Sequence, residues 1–219
     1  MKKIILATLV ATYCVSAFAE STAVLKVQGT LTNAACTISL SNGGVIDYGY
    51  IHLGELSATD NNKIGQKQIP ATISCTAPTK VAFTIMDNKT TTNALLPVDF
   101  DDGTLSNNYA TLGIGTTSGD VKIGSYGLSI TDSIVDGKTV DTIKHNNDWA
   151  ATKWSKYSHQ RTDGFSEMSF ATTGTLEPLA FEQAAFNISS NLIIKDTTTL
   201  AITDDTPLDG QATMTLVYL

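Results

Sequence analysis

The chain has 219 residues, with 21 acidic and 14 basic side chains and a formal charge of −7. Its basic residues are scattered, so nothing in it would displace counterions from phosphates, and neither a nucleic acid nor an anionic membrane surface is an expected partner. The length suits one domain, or at most one and a half, and the acidity suits an exported protein that must stay in solution.

The first 19 residues read as a secretory signal. Lys2 and Lys3 open it, residues 4–10 are apolar, and Ala17-Phe18-Ala19 gives the small-x-small cleavage pattern. The apolar run is too short for a membrane anchor and is followed by Glu20, so no integral membrane segment is expected after cleavage. Cys14 follows Tyr13, where a lipid-modified signal carries a small residue. The expected domains are therefore 1–19 as signal peptide, 20–35 as an N-terminal extension and 36–219 as a β-rich domain.

From Ser21 to Cys36 the sequence alternates. Ala23, Leu25, Val27, Gly29 and Leu31 fall on one face, and Thr22, Lys26, Gln28, Thr30 and Thr32 on the other, with Val24 as the exception. This is the period of a strand with one buried face. Fully extended, residues 20–31 span about 40 Å at roughly 3.3 Å per residue. An ordinary first strand of a complete sandwich is the plain alternative for this stretch, and a β-bulge is the alternative for Gly29.

Two cysteines, Cys36 and Cys75, remain after export. An even count in an oxidising compartment predicts a disulfide, and closing that loop removes roughly 4 kcal/mol of unfolded-chain entropy. A metal site would need further ligands, and no histidine lies nearby in sequence.

Residues 37–40 continue from Cys36 into a strand, ended by the turn cluster Ser41-Asn42-Gly43-Gly44. Residues 45–56 (VIDYGYIHLGEL) predict a short strand pair or a kinked strand. Residues 68–75 (QIPATISC) and 80–86 (KVAFTIM) alternate cleanly and predict two strands joined at Pro78. Two more strands are predicted at 110–115 and 122–130, then a hairpin over 135–143 turning at Asp136-Gly137. Residues 146–157 break the pattern, and Asp148 is a candidate cap for one or two helical turns. A strand at 168–172, a short helix after Pro178 within 176–186, strands at 187–194 and 198–202, and a turn at 204–210 complete the reading. The chain closes on 212–219 (ATMTLVYL), where Ala212, Met214, Leu216 and Tyr218 share a face. Many short strands separated by Gly, Asn, Asp and Pro predict an all-β sandwich.

No catalytic chemistry and no cofactor is expected. His52, His145 and His159 lack metal spacing and read as isolated surface residues, and no nucleophile-elbow pattern is present. Residues 99–103 (DFDDG) lack the distal glutamate of a calcium loop and read as a solvated turn. Trp149, Trp154 and Tyr157 read as packing of an inserted segment, with stacking on a sugar ring as the alternative.

Taken together, VQGTLTNAACTI, YIHLGELS and a terminal alternating strand with Tyr218 as its penultimate residue resemble the chaperone–usher pilus subunits, type 1 fimbrial subunits among them. The resemblance covers both ends and the cysteine pair; residues 87–186 carry none of it. It implies an incomplete immunoglobulin-like sandwich whose missing strand is supplied in trans. The donor strand would present Ala23, Leu25, Val27, Gly29 and Leu31 to a neighbouring subunit. Ala212, Met214, Leu216, Tyr218 and the Leu219 carboxylate would form the groove edge that meets the chaperone. The implied partners are a periplasmic chaperone, an outer-membrane usher, and copies of this chain or sister subunits. The implied location is the periplasm and then a cell-surface fimbria. The family's glycine one strand length before the terminal tyrosine has no counterpart here; the nearest is Gly210, so the register of chaperone pairing does not carry over. An adhesive tip subunit that binds host carbohydrate and a monomeric periplasmic protein with the same fold are the alternatives.

Overall fold

The computed structural model describes residues 25–27, 29, 35–100, 103–105, 109–146, 153–157, 159 and 161–219. The chain divides into two units, Met1–Asn33 and Ala34–Leu219. In the first, the described side chains of Leu25 and Val27 are 90% and 92% exposed. Ala23 and Leu31 lie outside the described residues.

The second unit is all-β, as expected. Its strands are β1 (Cys36–Leu40), β2 (Asn62–Asp87), β3 (Val98–Phe100), β4 (Gly103–Leu105), β5 (Thr111–Gly113) and β6 (Gly124–Val135). They continue with β7 (Lys138–Asn146), β8 (Ser155–Lys156), β9 (Ser166–Thr172), β10 (Ala180–Ile194) and β11 (Ala212–Tyr218), and one helical turn, α1 (Thr197–Leu200), precedes β11. Pairing runs β5-β6-β10-β2-β9-β7-β8, and β6 also pairs with β7. Strands β6, β10, β2, β9 and β7 thus form a closed ring of five.

The spine is β2, 26 residues long. Its first half lies between β1 and β10, with Cys36 opposite Cys75 and Phe186 opposite Ala71. Its second half lies between β11 and β9, with Leu216 and Met168 both opposite Phe83. The predicted break at Pro78 is absent. Pro78 has no ladder partner, falling where the β10 register jumps, so its missing N–H costs no sheet bond and the two predicted strands are one.

The core forms where the two halves face each other. Phe83, Phe170 and Phe181 are fully buried, and Phe83 stacks on Phe186 with ring centroids 5.6 Å apart. Phe170 meets Phe186 at 5.3 Å and Phe181 at 5.9 Å. Ile69, Ile73, Val81, Ile85, Met168 and Ile188 complete the cluster. The alternation at 68–75 and 80–86 is what places these side chains inward.

Other expectations divide. The hairpin turns at Asp136-Gly137 as predicted, both residues at positive φ, the geometry that matches strand twist. Residues 45–56 hold no strand: they run as extended chain with a 3-10 turn at Leu53–Glu55. The predicted helix within 176–186 is the start of β10, because the small and aromatic residues after Pro178 pair with β2. The predicted strand at 198–202 is α1, capped by Asp196, whose carboxylate accepts the Thr199 N–H at 2.7 Å. Asp148 lies outside the described residues. Among the described residues no helix is long and apolar enough to cross a membrane.

Cys36 and Cys75 are joined, as predicted, so the disulfide fastens the first residue of β1 across the ladder to β2. Replacing either cysteine with serine, or reducing the bond, should lower unfolding stability by about 2–4 kcal/mol. A urea midpoint unchanged by reduction would show that the bond does not hold β1 in place.

Candidate functional site

Two strands hang from β2 by one edge each. Among the described residues β1 pairs only with β2, and so does β11. At one end they meet: the Cys36 N–H donates to the Tyr218 hydroxyl at 2.8 Å. Toward the other end, past Leu40 and before Ala212, they leave a cavity of about 940 Å³.

Apolar side chains make its walls. Ile69 and Ile85 of β2, Leu128 of β6, and Ile188, Leu192 and Ile194 of β10 line it from the sheet. Residues 43–51 and Leu53 form one lip, and residues 204–208, Gly210 and Gln211 the other. Sequence reading missed both lips. Their apolar residues follow neither a 2.0 nor a 3.6 period, and the two segments are brought together only by the fold.

Local hydrogen bonds hold each lip. Tyr48 donates its hydroxyl to the Ser190 carbonyl at 2.7 Å, fixing the first lip to β10, and burial pushes its phenol up. The second lip is tied through Asp87 at the end of β2. Its carboxylate accepts the Lys89 N–H at 2.8 Å and the Gly113 N–H at 3.0 Å. Gly113 precedes Ile114, which lines the cavity and whose carbonyl accepts the Asp209 N–H at 2.8 Å. The Lys89 ammonium pairs with the Asp209 carboxylate. Gly210 then passes close to Tyr126, and a Cβ there would come within 2.9 Å of the ring, so only glycine fits. Burial, and then the Asp87 charge, push the Tyr126 phenol far above its ordinary range.

Of the predicted groove-edge residues, Ala212 and Met214 line the cavity, and Leu216 packs on the core without reaching it. Tyr218 bridges to Cys36, and Leu219 is half-exposed with its N–H on the Lys80 carbonyl at 3.1 Å. Of the predicted donor residues, Leu25, Val27 and Gly29 are described in the first unit, the two apolar side chains facing solvent.

The remaining candidates sit elsewhere. His52 is exposed. His145 stacks on Trp154 at 5.1 Å and lies 3.6 Å from the Glu167 carboxylate. His159 is buried rather than superficial, because its ring fills the space between Phe100 at 4.8 Å and Tyr157 at 5.2 Å. Asp99 is on β3 and pairs with Lys63; Asp101, Asp102 and Trp149 lie outside the described residues. Tyr157 is partly exposed under the Lys144 ammonium, 3.9 Å from its ring centre.

A family profile described as "Protein of unknown function (DUF1120)" matches residues 25–127, a stretch that takes in part of the extension, both disulfide cysteines and the first lip. The chain is similar to protein GltF of Escherichia coli K12, 29% identical over 89% of this chain and 87% of that one. It is also similar to uncharacterized protein YhcF of Escherichia coli K12, 34% identical over 54% of each. None of these descriptions refers to pili.

Asp87 gives this site a pH signature. Burial raises its carboxyl, outweighing the two N–H donors, so the folded chain keeps a proton that the unfolded chain has already released. Its contribution is then fullest below the ordinary carboxylate value and is lost as pH rises through the raised one. Asp87→Ala, which leaves the Gly113 N–H without its acceptor, should cost about 1–3 kcal/mol. In urea titrations the deficit should be largest near the acid end of the carboxylate range and shrink toward neutrality. A deficit that grows with pH would mean that the N–H donors outweigh burial.

Proposed function

We propose that this chain is a structural subunit of a bacterial surface fimbria, assembled by strand addition. Its groove receives the N-terminal strand of another copy or of a sister subunit. A periplasmic chaperone covers the groove until then, and an outer-membrane usher is where the exchange takes place. The observation that carries the reading is the apolar cavity beside two strands, β1 and β11, that each have one partner among the described residues. An edge of this kind is a template for another strand.

On this reading the all-β unit is an immunoglobulin-like sandwich short of one strand, with β11 as the edge the incoming strand would extend. The alternating extension fits as that strand: each of Leu25, Val27 and Leu31 would contribute about 1.5–3 kcal/mol on full burial. The exchange uses no nucleotide or cofactor and no catalytic residue, since a better-fitting strand displaces a poorer one. A second reading, an adhesive subunit that binds carbohydrate, is favoured by the partly exposed rings of Tyr109, Tyr157 and Phe165.

The test is a denaturing gel of material from the cell surface, unboiled and boiled. The intact chain should run as a ladder that collapses on boiling. Leu25→Asp with Val27→Asp should run as monomer while its urea midpoint stays unchanged, because both side chains are exposed. A ladder that survives the substitutions would overturn the role of this strand. A monomer band for the intact chain would favour a monomeric periplasmic protein.

A further inference from the structure

We infer that Lys26 orients the incoming strand and selects it, by meeting a groove whose charges, among the described residues, are all carboxylates. This rests on the strand-addition reading above. Three of the residues that line the cavity carry charge: Asp47 on the first lip, and Asp204 and Asp205 on the second. Among the described residues no lysine, arginine or histidine lines it.

Among the described residues no cation is held against these carboxylates. Asp47 accepts the Gly49 N–H at 2.7 Å and Asp204 accepts the Thr203 hydroxyl at 3.0 Å, neither of which is a cation. None of the three makes an ion pair with another described residue. Lys89, which reaches the same lip, is already held by Asp209. The groove therefore has an apolar floor and a negative mouth.

The extension is the complement. It carries two charged side chains, Glu20 at its start and Lys26 within the alternating run, so Lys26 is its one cation. Lys26 stands between Leu25 and Val27, so a strand that turns those two into the cavity turns Lys26 outward. Asp47, Asp204 and Asp205, which line the cavity, are themselves exposed. An exposed pair of this kind contributes little affinity by itself. Like charges on both lips of an apolar cleft act instead on encounter rate, on direction of entry and against strands with an acidic residue at this place.

The experiment measures binding of fluorescent peptides of residues 20–33 to the full exported chain, kept dilute as monomer. Peptide K26E should bind about five- to tenfold more weakly than the natural peptide. Its binding should recover to within about twofold of the natural pair on the chain carrying D204K and D205K, and raising salt from about 20 to about 500 mM should narrow the difference. Both aspartates are exposed, so this double variant keeps the fold, checked by its circular dichroism. Equal binding of natural and K26E peptides would overturn the role of Lys26 while leaving strand addition standing. Binding of no peptide at all would overturn strand addition and this inference with it.

Discussion

Among the described residues, the two strands that flank the groove, β1 and β11, ladder to the sheet through β2 alone. β1 is laddered to residues 71–75 and fastened there by the Cys36–Cys75 bond, and β11 is laddered to residues 81–87. A strand with one partner leaves a row of N–H and C=O groups to water, and burying such a row without partners is costly. On the proposed reading, the backbone of an incoming strand is what pairs this row. The same 26-residue strand thus carries the aromatic core on Phe83 and positions the two edges that the core leaves unclosed.

Burial and hydrogen bonding act differently along the two lips. The first is held by one phenol, Tyr48, on a β10 carbonyl. The second is held by a chain of contacts from the buried Asp87 through Gly113 and Ile114 to Asp209, with Lys89 on the far side. Neither lip has a strand ladder among the described residues, and both are held by these individual bonds. At the other end the Cys36 N–H on the Tyr218 hydroxyl draws β1 and β11 together, which leaves the wide part of the groove beside Leu40, Ala212 and Met214.

The sequence was readable where one face is buried and the other wet. Residues 68–75, 80–86 and 212–218 alternate, and all three are strand in the positions expected. Pro78 misled because a proline interrupts a sheet only where an N–H is required, and there none is. Residues 198–202 alternate no better than they spiral, and the Asp196 cap decided for helix. The start of β10 was misread because pairing with β2 outweighs the local preference after Pro178. Alternation put Ala212 and Met214 on one strand face and the pilus-subunit resemblance put that face at the groove, yet neither reached the lips, since residues 43–53 and 204–211 are joined only by the fold. The buried place of His159 depends on Phe100, far away in sequence, and no local pattern announces it.

The central claim is that β11 gains a second strand when copies associate. Amide hydrogen exchange over residues 212–218 in the dilute monomer and in assembled material tests it directly. In the monomer only those amides that bond to β2 should exchange slowly. In assembled material the remaining amides of β11 should slow as well, together with those of residues 25–31, as both become the middle of a ladder. Exchange at β11 that is the same in both states would contradict the account, whatever else holds the copies together.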